Sequence, residues 1–385
     1  MTDFEHILPL WRELQGAGTE YVLATVVAVE GSSYRRPGAR MLLAQDGRRA
    51  GTVSGGCLEA EVAKKAWWLT EKGPVVERYS TLDDDGDLPY GSGCGGVVFI
   101  LLEHSTTAGP LLEALHAAFN AREPLAIATV LAGPQAGRRM FAGGGRPNGE
   151  PEPASPGPAS WQVDLQQLAF AALDERKSRD ENIDIEGAQT RVWVDYRSAR
   201  PGLWIFGAGD DAKPLQKLAR ELGWFVAIAD GRSHLATAAR FPAADAVIPL
   251  QITALPQSAP GQLDIHPGDA AVLATHSYEQ DTRILALLLG RAPHQRPAYI
   301  GVLGPQRRTR EALADAARLL DLAPASKLIE EWLDEIHGPT GLDLGAETPA
   351  TIALSILAEI QKSLTASSAL PLRIVRGSKS EIACR

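Results

Sequence analysis

Apolar positions in the first fifteen residues fall on one helical face. Phe4, Ile7, Leu8, Trp11 and Leu14 recur at three- and four-residue spacing, which predicts a helix over 3–15. The period then shortens. Residues 21–29 are an apolar, β-branched run that reads as a buried strand, and 39–43 and 49–53 read as shorter strands joined by the turn Gln45-Asp46-Gly47. A helix is predicted over 58–72, stopped by Gly73-Pro74. It is followed by strands at 75–79 and 97–102, a helix at 111–121, and strands at 125–131 and 189–194.

From 203 onwards the rhythm changes. Short apolar strands at 203–206, 224–229, 244–248, 270–274 and 298–302 alternate with helical stretches at 211–222, 278–289 and 307–320. Thr348 and Pro349 open a last helix to about 362 as N-cap and first helical residue. Such alternation implies a parallel sheet covered on both faces. The expected fold is α/β, with a C-terminal Rossmann-like parallel-sheet domain over 199–385 and an N-terminal mixed α+β domain over 1–198. Residues 143–160, GGGRPNGEPEPASPGPAS, are more than half Gly and Pro and read as a mobile loop within the first domain.

Bulk properties narrow the function. The 385 residues carry a net charge of -9, which argues against broad binding of nucleic acid or an anionic membrane, and no 18-residue apolar run predicts a membrane span. The acidic start Met1-Thr2-Asp3-Phe4-Glu5 lacks an apolar signal core. Three cysteines, Cys57, Cys94 and Cys384, make a disulfide framework improbable and a reducing, cytoplasmic setting the simpler expectation.

Gly207-Ala208-Gly209-Asp210-Asp211-Ala212 fits the dinucleotide turn G-x-G-x-x-[GA] between a strand and a helix. The first glycine permits the turn, the second allows phosphate to approach the backbone, and the helix N-terminus offers free N–H groups. Asp230 stands at the end of the next strand, where an acid binds a ribose hydroxyl, and Arg232 lies beside it. Asp210 and Asp211 would themselves favour the helix dipole and repel a pyrophosphate. A nucleotide or pterin-nucleotide site and a Rossmann fold without ligand both remain open.

Two cysteines have glycine frames. Ser54-Gly55-Gly56-Cys57-Leu58-Glu59 places a thiol at a helix start, where the dipole favours thiolate while Glu59 and Glu61 oppose it. Gly91-Ser92-Gly93-Cys94-Gly95-Gly96 lets the second thiol meet a bulky ligand. A small buried hydrophobe in a tight turn is the plainer alternative for each. Arg35, Arg36 and Arg40 around Pro37-Gly38 suit a phosphate or an acidic partner surface, or a solvated turn. His276 follows a strand end in the expected crevice. Arg307 and Arg308 follow Gly304, and Asp343 precedes the last helix. The run Asp83-Asp84-Asp85-Gly86-Asp87 lacks the later glutamate of a calcium loop, and no zinc spacing occurs around His337.

Several stretches together resemble the XdhC/CoxI family of accessory proteins for molybdenum hydroxylases. They are ATVVAVEGSSYRRPGARMLL (24–43), GTVSGGCLEAEV (51–62), DLPYGSGCGG (87–96), LWIFGAGDDA (203–212), YIGVLGPQRR (299–308) and IHGPTGLDLGAETPATIALSILAEI (336–360). The resemblance implies binding of the molybdenum cofactor (molybdopterin), help with its sulfuration by a cysteine desulfurase, and delivery to a molybdenum hydroxylase subunit. It also implies a homodimer without turnover of its own. Cys57 and Cys94 occupy the family's SGGC and CGG positions and would be the thiols that touch molybdenum or carry sulfur. Asp210 stands where the family usually has histidine, and so does Tyr278, although His276 and Asp281 are kept. Two other readings stay open. One is an NAD(P)-dependent oxidoreductase, which lacks a clearly placed acid or base. The other is a sulfurtransferase carrying persulfide on Cys57 or Cys94.

Overall fold

A computed structural model of the chain describes residues 2–80, 96–144, 159–257, 261 and 263–375. By its internal contacts the chain divides into two units, Met1–Arg200 and Pro201–Arg385.

The amphipathic start forms α1 (Thr2–Gly16), and Phe4, Ile7, Leu8, Trp11 and Leu14 are all buried. Then follow β1 (Tyr21–Gly31), β2 (Arg40–Ala44), β3 (Arg49–Gly51), α2 (Glu59–Leu69), β4 (Val75–Ser80), β5 (Gly96–His104) and α3 (Ser105–Ala121). The unit continues with β6 (Leu125–Val130), β7 (Arg139–Gly143), α4 (Ser160–Glu175), β8 (Arg179–Ile185) and β9 (Ala188–Arg197). Two antiparallel sheets result, ordered β3-β2-β1-β5-β4 and β7-β6-β9-β8.

The continuous apolar run of β1 is explained by burial on both faces. Leu23 packs in the core with α1 and α3, whereas Val22, Ala24 and Val26 pack in the core with α2. In the second sheet, Ala126, Ala128, Val130, Val192 and Val194 meet α4 through Trp161, Leu165, Ala169 and Ala172.

Both ends of the glycine- and proline-rich stretch belong to regular elements. Gly143 closes β7, Ser160 opens α4, and 145–158 lie outside the described residues. Helix α3 begins six residues before the expected start and carries Pro110 inside it.

The second unit alternates as expected. Its elements are β10 (Gly202–Phe206), α5 (Ala212–Glu221), β11 (Phe225–Asp230), β12 (Ala246–Pro249), β13 (Ala270–Leu273), α6 (Tyr278–Leu289), β14 (Tyr299–Val302), α7 (Gln306–Leu319), α8 (Ser326–Glu335), β15 (Ile336–His337) and α9 (Pro349–Thr365). All paired strands run parallel, in the order β12-β11-β10-β13-β14-β15. Numbered within the unit this is 3-2-1-4-5-6, the dinucleotide-fold order. Helices α6, α7 and α8 cover the face of Trp204, Phe206, Ala271 and Leu273. Helices α5 and α9 cover the face of Leu203, Ile205, Val226 and Ile228. The fold is therefore α/β, with a Rossmann-type sheet in the second unit and antiparallel sheets with helices in the first. The strand order reverses between β10 and β13, and the crevice outside their carboxyl ends is where such folds bind ligands.

Candidate functional site

Each unit carries one candidate site. In the first, the link from β3 to α2 is a turn organised by two acceptors. The Glu59 carboxylate accepts from the backbone N–H of Ser54 (2.8 Å) and Val53 (3.2 Å), from the Ser54 hydroxyl (2.5 Å) and from the Thr52 hydroxyl. Ser54 Oγ in turn accepts from the N–H of Gly56 and Leu58, each at 3.1 Å. Ser54 and Glu59 are buried, whereas Gly55, Gly56 and Cys57 are exposed. The Cys57 thiol donates to Ser54 Oγ at 3.6 Å. Gly56 has φ +110°, which only glycine adopts without strain, and the ring of Tyr34, itself 73% exposed, lies beside Gly55.

Burial alone would raise the Glu59 pKa. The hydrogen bonds from Ser54 and Thr52 more than offset it and hold the carboxyl below its ordinary value. Glu59 was expected to oppose a thiolate from the first turn of the helix. The same carboxylate also holds the turn that displays the thiol.

Arg40 is not part of this surface. It opens β2 rather than a loop, is 5% exposed, and pairs with Asp195 on β9 at 2.8 Å. A phosphate contact by Arg40 therefore does not follow from its position, because the pleat turns its side chain inward. Arg36 and Tyr34, in the same loop, are exposed. Gly93, Cys94 and Gly95 lie outside the described residues, as do Cys384 and the run 83–87.

In the second unit the parallel register brings Gly207, Asp230, His276 and Gly304 to the carboxyl ends of β10, β11, β13 and β14. Gly207 has φ +131°, and a Cβ there would sit 2.3 Å from the Ala274 carbonyl oxygen. This glycine is demanded by backbone passing backbone. At Gly209 an added Cβ would meet nothing within 4 Å. The second glycine thus faces open space.

Asp230 is fully buried. Its Oδ2 accepts from Ala208 N–H at 2.6 Å, and Arg232 donates to both oxygens, through Nε at 3.0 Å and Nη2 at 2.7 Å. Burial pushes this carboxyl up, but Arg232 and the two backbone N–H groups outweigh it and hold the pKa below normal. Arg232 reaches across to the Thr275 carbonyl as well, at 3.4 Å. His276 has φ +57°, uncommon outside glycine, and its Nε2 lies 3.2 Å from Asp211 Oδ2, so β13 and the start of α5 are tied across the reversal point. Asp210 is exposed and held by Lys213 (2.8 Å) and Arg240 (3.1 Å).

Arg308, after Gly304, reaches Asp281 Oδ2 at 2.7 Å, and the Thr275 hydroxyl donates to Asp281 Oδ1 at 2.5 Å. Asp343 is exposed in the link to α9, apart from these contacts.

Sequence reasoning missed a third cluster. Glu359 on α9 accepts from Tyr299 Oη (2.6 Å) and Gly341 N–H (2.6 Å) and pairs with His337 Nδ1 (3.0 Å), which anchors the link that carries Asp343. Tyr299 and Glu359 are 60 positions apart in the chain, and the cluster carries no local signal.

Among the described residues no group of three or more His, Cys, Asp or Glu is arranged to hold a metal, and no helix is long and apolar enough to cross a membrane.

Comparison with known proteins bears on this geometry. Residues 203–360 match the family model described as the XdhC Rossmann domain, and residues 14–80 match that of the XdhC and CoxI family. The chain is 30% identical over 348 residues to a probable xanthine dehydrogenase subunit of Bacillus subtilis, an alignment covering 89% of this chain and 92% of that protein. It is 25% identical over 367 residues to the molybdenum cofactor insertion chaperone PaoD of Escherichia coli, covering 93% and 88%. A crystal structure from Bacillus halodurans, described as a xanthine dehydrogenase, superposes with a TM-score of 0.70 at 28% identity, covering 96% of this chain and 97% of that one.

Proposed function

This chain belongs to the XdhC and CoxI family, and from that membership we propose that it is an accessory protein that takes the molybdenum cofactor as cargo and hands it to a xanthine-dehydrogenase-type hydroxylase. The observation that carries the reading is Cys57, a solvent-accessible thiol on a turn whose backbone is fixed by Ser54 and Glu59. Soft thiolates suit molybdenum and its sulfur ligands. At Gly56 an added Cβ would meet nothing within 4 Å, so that side of the turn is open, as bulky cargo requires. Cys94, framed by Gly93 and Gly95, is the second thiol of the same reading.

Within the second unit, the open side of Gly209 and the N–H groups at the start of α5 suit a phosphate group. The relative named an insertion chaperone supports the direction of transfer, and the relative named for xanthine dehydrogenase supports the client class. Help with sulfuration by a cysteine desulfurase, a homodimer and a cytoplasmic location belong to this reading too.

A nicotinamide dinucleotide is the second reading, favoured by the strand order of the second unit. Asp230 counts against it. The carboxylate that would hold the ribose is already held by Arg232 and Ala208.

The test is metal and pterin analysis of the full chain purified from cells with an active cofactor pathway. Molybdopterin is expected to co-elute with the wild type and to fall about tenfold or more in Cys57→Ala, since losing even an outer partner of a metal site has effects of that size. No molybdopterin with the wild type, or equal amounts with Cys57→Ala and Cys94→Ala, would end the proposal.

A further inference from the structure

Two ion pairs cross between the sheets of the first unit in opposite senses. Arg40 of β2 reaches Asp195 of β9 at 2.8 Å, and Arg139 of β7 reaches both oxygens of Glu103 of β5 at 2.7 Å. These four side chains are at most 6% exposed. Together with Thr25 and Trp193 they line a cavity of about 10 Å³. Space of about that size is what one water-sized sphere needs, so the site takes a single atom-sized occupant.

Among the described residues, Arg40 Nε, Arg139 Nε, Trp193 Nε1 and Thr25 Oγ1 are buried without a hydrogen-bond partner. Three of these atoms can only donate, and the hydroxyl can donate as well. Charge is also out of balance. Arg197, outside the lining and 19% exposed, adds a second guanidinium to Asp195 at 3.0 Å, so the two carboxylates are shared among three cations. Burial, and next the Arg197 charge, lower the Arg40 pKa from its ordinary value, as an excess of buried cation requires.

We propose that this inter-sheet cavity is a binding site for one small monovalent anion of the halide class, held by the N–H groups of Arg40, Arg139 and Trp193 and the hydroxyl of Thr25. A halide accepts from all four donors and cancels the surplus charge. Water accepts from two and cancels none. Phosphate and carboxylates exceed the space.

The experiment is thermal unfolding of the full chain in sodium bromide against sodium gluconate at matched ionic strength, with anomalous diffraction from crystals grown in bromide. The expected result is a rise in Tm that saturates with bromide, and a bromide peak between Arg40 and Arg139. Trp193→Phe and Thr25→Val should each raise the half-saturating bromide concentration about tenfold, the effect of one hydrogen bond to a charged acceptor. If either variant fails to fold, the other and the wild-type diffraction still decide. Equal Tm shifts in both salts, or a water without anomalous signal at the site, would overturn the assignment.

Discussion

At the scale of single residues, the two glycines of the Rossmann turn do different work. Gly207 lets two backbone segments pass, whereas Gly209 borders open space. Gly207→Ala combines a Cβ 2.3 Å from a carbonyl oxygen with φ +131°, and should destabilise the chain by about 3 kcal/mol. Gly209→Ala should leave the urea midpoint unchanged but lower molybdopterin retention. A similar stability loss for both would show that the second glycine is structural. The motif itself was legible because a strand, two glycines and a helix start are local. The Arg40–Asp195 pair was not, since its partners are 155 positions apart and the predicted strand over 39–43 does not say which face Arg40 takes or what it meets there.

At the scale of elements, the entry to α2 depends on Glu59. Its folded pKa lies below its unfolded value, so its contribution is fully present above the unfolded value and is lost as pH falls through the folded one. Glu59→Gln should cost about 1–3 kcal/mol at pH 7, by stranding buried donors, and should flatten the loss of stability below about pH 4. Urea midpoints of both proteins across pH 3–7 check this, and parallel acid limbs would refute it.

The helices and strands read correctly were those with strong periods, such as α1, β10 and α9, the last with Thr348 capping the Thr351 N–H. Strand β7, helix α4 and strand β8 were missed for a physical reason. Only alternate positions of Arg179–Ile185 near its end are buried, and charged residues fill the others. Helix α4 starts straight after a proline-rich stretch whose composition predicts no order. Helix α8 fully buries only Ile329 and Trp332.

At the scale of the whole molecule, each hydrophobic core among the described residues draws its residues from one unit. The two cores of the second unit lie within residues 203–360 and sandwich the parallel sheet from both faces. A fragment of residues 201–375 is therefore expected to unfold in one cooperative urea transition followed by circular dichroism. A gradual, featureless loss of signal would refute this. Fold class was readable at this scale because βα alternation is itself a topology, and the right-handed crossover rule leaves few alternatives.

The hydrophobic contribution to sheet packing is non-directional, whereas an ion pair between sheets fixes particular positions against each other. The pairs Arg40–Asp195 and Arg139–Glu103 are directional, and they tie the two sheets of the first unit at two buried points. The bracing extends outward, since Arg40 and Arg197 both grip the Gly38 carbonyl at the foot of the loop that carries Tyr34. The aromatic ring beside Gly55 thus belongs to a loop whose foot is tied directly to a buried ion pair.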